Sequence, residues 1–363
     1  MNAMLLQPGI ELMSKTSSTT CFIRRSLLLR IRHPLPTLSR RSGCIFHRTC
    51  FAPVATTAVS VAGSTRRVQR DWHVLPDGTK LEVLRQICDV EAGLSTPPLL
   101  MLHGAGHAAW CYKENFMPYF ADRGYDTYAV SFRCQGSSDR QSSAKSAGTL
   151  ASHSEDIQHF ISTLPRPPVI LAHSFGGLIA QRYVLGSKHS VLCADRASTA
   201  GLVLLGSAPP YGNGSLVGRT FRRRPLFSIR LTWGFITRSY ARSMPLFRDM
   251  FMSSDIPDKD LQRYYQLLQT NMSPVQLVDF RELNKHELPL QRPGPAFSIP
   301  VLALCGDQDV VVDLEAAEET AAHFGQGSAI ELKGMAHDLM LDTRWQQAAS
   351  TILEWLHGLE ETL

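Results

Sequence analysis

Pro168-Val169-Ile170-Leu171-Ala172-His173-Ser174-Phe175-Gly176-Gly177-Leu178 is the stretch that decides how this chain reads. Val169 to Ala172 form a short apolar run suited to a parallel strand buried on both faces, and Leu178, Ile179, Tyr183 and Val184 then recur at helical spacing. A strand is therefore expected to turn directly into a helix at Ser174. Ala172 and Gly176, two residues to either side, are small, as a backbone that doubles back closely requires. Such an elbow lifts the serine hydroxyl above the sheet edge at the positive end of a helix, with the Phe175 N–H placed to meet a developing oxyanion. The short pattern also occurs in tight structural turns, so its reading depends on partners elsewhere in the chain.

Working outward, strand and helix alternate on both sides. Trp72 to Pro76 and Leu81 to Cys88 flank the turn dipeptide Asp77-Gly78, which predicts an antiparallel hairpin at a sheet edge. Leu99 to Leu102 is a buried strand that stops at His103-Gly104. The small-residue loop Ala105-Gly106-His107-Ala108-Ala109-Trp110 follows, then a helix from Tyr112 to Arg123. This loop is able to bring the Ala105 N–H beside that of Phe175 as a second oxyanion donor. Asp126 to Phe132, the elbow strand and Gly201 to Leu205 continue a mostly parallel sheet with helices on both faces. Between Tyr211 and Phe297 the pattern breaks into helical, aromatic- and Met-rich sequence with no strand-like run. This reads as a cap inserted between the sixth and seventh of eight strands. Ile299 to Gly306, a helix over Leu314–His323, a strand over Ser328–Leu332 and a last helix complete the core. The expected organisation is thus residues 1–70 as a presequence, core over 71–210 and 298–363, and cap over 211–297.

Two loops leave the carboxyl ends of the late strands, where an open parallel sheet gathers its functional groups: Gly306-Asp307-Gln308-Asp309 and Gly334-Met335-Ala336-His337-Asp338. A serine hydroxyl is too weakly acidic to attack alone. It needs an imidazole base, and the imidazolium needs a carboxylate to hold its tautomer and charge. Ser174, Asp309 and His337 supply these in chain order, with Asp307 and Asp313 as the other acids within reach. No metal or cofactor is expected. His103, Gly104, His107, Trp110 and His173 are the candidate substrate contacts. Among them, His103 also reads as a loop-shaping residue, His107 as a surface residue and His173 as a structural neighbour of the nucleophile.

The 363 residues allow one large domain or two smaller ones. Their formal charge of +5 hides an asymmetry. Lys15 and ten arginines against Glu11 give the first seventy residues +10, which leaves −5 for the rest and no case for nucleic acid. The segment is rich in Ser, Thr and Arg, as a transit peptide is; Arg24, Arg25, Arg30 and Arg32 interrupt any secretory core. Composition alone leaves mitochondrion and plastid open. The eight cysteines show no C-x-x-C or zinc spacing, and are expected to be reduced and packed. In the cap, Arg219, Arg222, Arg223, Arg224, Arg230, Arg238 and Arg242 interleave with Phe221, Leu226, Phe227, Ile229, Leu231 and Trp233. Either they meet an anionic membrane surface as a peripheral contact, or they solvate the cap and pair with acids such as Asp249, Asp255 and Glu282.

The His103-Gly104 loop, the Ala172-His-Ser-Phe-Gly elbow, the Gly306-x-x-Asp309 loop and the Gly334-x-x-His337 loop together resemble the α/β-hydrolase superfamily from about residue 72 onward. His103-Gly-Ala-Gly-His-Ala-Ala-Trp-Cys111 is similar to the plant methylesterase and hydroxynitrile lyase branch. The whole chain looks more like plant and algal α/β-hydrolases with transit peptides, which tilts the address to the chloroplast over the mitochondrion. The resemblance implies a serine hydrolase of carboxylic esters acting through an acyl-enzyme. A thioesterase or pheophytin-type dephytylase with the same triad, or a small-molecule receptor of the same fold, stands as the alternative. Asp338 stands where hydroxynitrile lyases have Lys, and Ser174 where epoxide hydrolases and haloalkane dehalogenases have Asp. Arg133-Cys134-Gln135-Gly136 replaces the Arg-Gly-x-Gly of many relatives and is expected to alter the pocket wall. The last expectation is that the substrate is a small-molecule or lipid ester, lipophilic because the cap is apolar.

Overall fold

The computed structural model describes residues 67–88, 96–140, 146–186, 199–279, 299–325 and 327–360. The expected presequence up to residue 66, Cys193, Glu282 and the end of the expected cap, 280–297, lie outside the described residues. In chain order the elements are β1 (Gln69–Val74), β2 (Lys80–Gln86), β3 (Leu99–Leu102), α1 (Trp110–Lys113), α2 (Phe116–Ala121), β4 (Thr127–Val130), β5 (Ser146–Gly148), α3 (Leu150–Ile161), β6 (Val169–His173), α4 (Phe175–Gly186) and β7 (Gly201–Leu205). The cap follows with α5 (Gly214–Arg223), α6 (Pro225–Thr237), a 3₁₀ turn (Ser239–Arg242), α7 (Met244–Phe251), α8 (Asp258–Asn271) and β8 (Gln276–Val278). The chain then returns to the core with β9 (Val301–Gly306), α9 (Leu314–His323), β10 (Ser328–Leu332) and α10 (Trp345–Glu360).

Eight strands form one sheet in the order β1-β2-β4-β3-β6-β7-β9-β10. β1, β2 and β4 pair antiparallel, and every pairing from β4 to β10 is parallel. The hairpin turns where expected, with Gly78 at φ +84° and the Thr79 N–H bonded to Asp77 Oδ1 at 2.9 Å, although β1 begins at Gln69, ahead of Trp72. Because successive side chains point to opposite faces of a strand, the central strands feed two cores. Leu99, Met101, Leu171, Val203 and Leu302 pack with α2, α10 and the cap, whereas Leu100, Leu102, Ile170, Ala172 and Leu202 pack with α3 and α4. All ten are fully buried, each of the larger ones contributing about 2 kcal/mol in area removed from water.

Two expectations are corrected. The single helix over Tyr112–Arg123 is two short ones, α1 and α2, broken at Glu114-Asn115. Pro118 has no N–H to bond the Glu114 carbonyl, and its ring crowds that carbonyl. The cap also contains a strand, β8, which pairs in parallel with β5 from the core through Ser146↔Gln276 and Gly148↔Val278. Three residues carry too little period to announce a strand. It forms because the core presents an edge and the buried His153 ring meets the Leu277 carbonyl at 2.9 Å.

Candidate active site

β6 stops at His173, α4 starts at Phe175, and Ser174 between them has φ +51°. That left-handed backbone costs a non-glycine residue about 1–2 kcal/mol. It is held by the Ser174 N–H donating to the Leu205 carbonyl at 2.9 Å and the Gly177 N–H donating to the Ser174 carbonyl at 3.0 Å. Gly176 is required by proximity: a Cβ there would lie 2.4 Å from the His103 carbonyl oxygen and 2.8 Å from that of Leu102. The elbow is thus wedged against the end of β3.

The imidazole of His337 is fully buried, and its Nδ1 lies 2.8 Å from Asp309 Oδ2. With Nδ1–H donating to the carboxylate, Nε2 is the unprotonated nitrogen; it is buried and has no hydrogen-bond partner among the described residues. The other oxygen of Asp309 accepts from the N–H groups of Val311 and Val312 at 2.7 and 2.9 Å, which locks the carboxylate's orientation. Asp307 and Asp313 are engaged elsewhere. Asp307 accepts from the Gly334 N–H at 2.7 Å, and Asp313 caps α9 through the Ala316 N–H and pairs with Arg219 at 2.8 Å. Burial works against charge on His337, but the Asp309 carboxylate, its hydrogen bond and the more distant charge of Asp338 outweigh it. The imidazole pKa is therefore held above its usual 6.5.

Gly206, just past β7, lies against this pair and lines the cavity that Ser174 lines. It has φ +53°, and a Cβ on it would sit 3.0 Å from His337 Nδ1 and 3.1 Å from Asp309 Oδ2. Sequence reasoning passed over Gly206; its signal was a glycine directly after a buried strand at the level of the elbow.

The expected substrate contacts fall elsewhere. His103 is fully buried, donating from Nδ1 to the Gly104 carbonyl (2.8 Å) and accepting the Phe132 N–H at Nε2 (3.0 Å). Burial pushes its pKa down to about 3, so it is a neutral brace for the loop. His107 is neither at the surface nor at the cavity. Its Nε2 lies 2.8 Å from Oδ2 of the fully buried Asp338, its Nδ1 lies 3.2 Å from the Ala105 carbonyl, and Trp110 stacks on it. The His173 ring lies under the elbow, with Nε2 3.2 Å from the His337 carbonyl and 3.5 Å from Asp338 Oδ1. Burial and the neighbouring His337 charge hold it neutral. Gly104 leaves no room for a side chain, since a Cβ would approach Ser174 Cβ to 2.9 Å. In the sequence Asp338 is distinguished only by standing where hydroxynitrile lyases have Lys. Its burial among two histidines is visible in three dimensions alone.

The cavity that Ser174 lines has a volume of about 360 Å³ and is walled by Phe175, Leu216, Leu231, Phe235 and Val311 among others. Among the described residues no charged side chain lines it. None of His103, Gly104, His107, Trp110 and His173 is among its walls, which come instead from α4, α5, α6 and the Val311-Val312 loop. A smaller cavity of about 20 Å³ brings Ala105 together with Phe175 and with Gln135 of the altered Arg-Cys-Gln-Gly loop, where Cys134 takes the φ +62° that a glycine would adopt freely. Cys88, Cys111, Cys134 and Cys305 are buried thiols.

A model of the alpha/beta hydrolase family matches residues 99–351. The chain belongs to the alpha/beta hydrolase family. Solved structures share the fold of this hydrolase at low identity. An esterase from Exiguobacterium antarcticum is 18% identical, with 80% of this chain and 100% of that chain covered at a TM-score of 0.58. The esterase RhEst1 from Rhodococcus sp. ECU1013 is 20% identical, with 80% and 99% covered at 0.57. The epoxide hydrolase CorEH is 15% identical, with 80% or more of both chains covered (81% and 100%) at 0.52. Curated proteins yield no match. Since esterases and an epoxide hydrolase share this fold, the chemistry of this chain has to be argued from its own side chains.

Proposed function

We propose that this protein is a serine hydrolase of carboxylic esters with a lipophilic acyl or alcohol group. The observation that carries the reading is His337: Nδ1 is engaged by Asp309 while Nε2 is buried and without a hydrogen-bond partner among the described residues, against Gly206, which lines the same cavity as Ser174. In this reading Nε2 takes the proton from Ser174 Oγ as Oγ bonds to the ester carbonyl carbon. The Phe175 and Ala105 N–H groups receive the oxyanion. The imidazolium returns its proton to the departing alkoxide, leaving an acyl-serine. Water, deprotonated by the same nitrogen, then attacks the acyl carbon and releases the acid with Ser174 restored. The esterase neighbours are in keeping with this chemistry, and a wall uncharged among the described residues suits an uncharged, apolar ester.

Fluorophosphonate labelling mapped to Ser174, followed by turnover of p-nitrophenyl esters of increasing acyl length, tests both halves. Labelling with kcat/KM rising with chain length is expected. Stoichiometric acylation without turnover would mark a receptor instead, and kcat/KM falling steadily with each added methylene would end the lipophilic-substrate reading.

A further inference from the structure

Helix α6, Pro225-Leu-Phe-Ser-Ile-Arg-Leu-Thr-Trp-Gly-Phe-Ile-Thr237, has apolar residues on every side and Arg230 as its one charge, a composition close to that of a helix buried on all sides. It is packed on one side only. Ser228 and Gly234 are buried, Leu231 and Phe235 pack inward against the core and wall the cavity, and Gly234 fits against Met250. On the opposite side Leu226, Ile229 and Trp233 are 82%, 57% and 64% exposed, with Ile236 beside them. These positions are three or four residues apart and so share one stripe. Val217 and Phe221 on α5 add exposed apolar area. Val217 and Ile236 belong to both surfaces, so the outer apolar face is also the rim of the cavity that contains Ser174.

Charge says what covers this face. From Gly214 to Ser243 the chain has seven arginines and no acid. Arg219 is neutralised by Asp313, Glu315 and Glu319, Arg223 is shared with Glu315, and Arg230 pairs with Asp249. Arg238 is spent on the Ser273 and Pro274 carbonyls. Pairing therefore accounts for part of the arginine run. Arg222 and Arg224 are exposed beside the apolar stripe, Arg224 stacking on Phe227, and form no ion pair among the described residues. A greasy stripe rimmed by unneutralised guanidinium groups complements an interface with an apolar interior and an anionic surface. Among the described residues no helix is long and apolar enough to cross a membrane.

We infer that the outer face of α5 and α6 docks peripherally on an anionic lipid bilayer, with Leu226, Ile229 and Trp233 entering the acyl boundary and Arg222 and Arg224 facing headgroups. The cavity rim then opens at the lipid surface, so a lipid-dissolved ester reaches Ser174 without crossing water. Only this last step rests on the hydrolytic reading.

Co-sedimentation of the full chain with phosphatidylcholine vesicles, with and without phosphatidylglycerol, tests the docking without turnover. Because the amino-terminal arginines add an anionic attraction of their own, the decisive comparison uses substitutions in the cap. Leu226→Ser with Trp233→Ser is expected to lower binding to phosphatidylglycerol vesicles at least about tenfold, while Trp72→Ser, at an exposed apolar residue on β1, leaves it unchanged. Arg222→Gln with Arg224→Gln is expected to reduce the preference for anionic vesicles and its salt sensitivity. Ser174→Ala is expected to bind as the wild type does, which keeps a failure of hydrolysis separate from a failure of docking. Absence of vesicle binding, or binding indifferent to the Leu226 and Trp233 pair, overturns the inference. So does self-association of the chain that this pair abolishes, since a second copy would then be the occupant.

Discussion

His107 Nε2 and Asp338 Oδ2 lie 2.8 Å apart with both side chains fully buried, and they join two loops 231 residues apart in sequence. Through its other nitrogen His107 meets the carbonyl of Ala105, while Asp338 follows His337 directly and its N–H donates to the Phe251 carbonyl at the end of α7. The loop carrying the proposed second oxyanion donor, the loop carrying the proposed base, and the cap are therefore fastened at one buried ion-dipole cluster. Phe251 packs edge-on against His107 and tilted against His337, which closes the cluster from the cap side.

A positioning role for Asp338 predicts more than lost stability. Asp338→Ala, which strips a buried pair of one partner, is expected to cost about 3–5 kcal/mol in chemical denaturation. Asp338→Asn keeps the shape but removes a charge that helps hold His337 protonated, so the acidic limb of its kcat/KM profile is expected to move to lower pH. A limb that stays in place while stability falls would assign Asp338 a purely structural part.

Ser174→Ala and His337→Ala are each expected to lower kcat by about 10⁶-fold with the fold retained, because members of such a unit fail together. Asp309→Asn is expected to cost about 10⁴-fold through the wrong imidazole tautomer. Asp307→Asn and Asp313→Asn serve as controls, since one braces the Gly334 turn and the other caps α9. Near-wild-type rates for Asp309→Asn beside a dead control would move the acid.

The pH profile has a definite sign. The base must be neutral to accept the serine proton, and the Asp309 charge raises the His337 pKa. Activity is thus expected to rise with pH through a midpoint above 6.5, and that midpoint should drop in Asp309→Asn. Folding responds in the opposite sense. A pKa higher in the folded than in the unfolded chain gives stabilisation that is complete below the unfolded value and lost as pH rises through the folded one. Stopped-assay kinetics and denaturant melts across this range measure the two trends on the same protein.

Gly206→Ala is the smallest change expected to damage catalysis. Its methyl group would press on both His337 and Asp309 at a position already in left-handed backbone. A loss in kcat of about 10²-fold or more is expected from the displaced imidazole, with Ser174 still labelled by a fluorophosphonate, though slowly. Unaltered kcat would mean that the site yields at no cost.

Residues 1–70 fused to a reporter are expected to carry it into an organelle, given their arginines and their single acid, and the resemblance to plant and algal relatives makes the plastid the expected address. Uniform cytosolic signal would remove the targeting reading, and mitochondrial signal would change the address.

By itself the sequence determined the order of the eight strands of the main sheet and the helices between them, apart from the α1–α2 break and strand β5, because a buried parallel strand reads as an apolar run and a half-buried helix as a 3.6-residue period; Val169–Ala172 and Leu314–His323 carry such signals within themselves. It also placed Ser174, Asp309 and His337 on loops at strand ends, since elbow spacing and glycine-bounded turns are local. Only the tertiary structure decided what those loops meet. His103 and His107 looked like substrate contacts in a small-residue loop, yet each satisfies its ring nitrogens with groups that packing delivers: Phe132 and Gly104 for the first, Asp338 and Ala105 for the second. Much of the cavity wall comes from α6, whose inner and outer faces are both apolar, so no periodicity could say which side lines the site. Strand β8 is a strand only because β5 stands beside it. Local pattern is written in neighbouring residues, whereas burial, partnering and charge depend on groups brought together from distant parts of the chain.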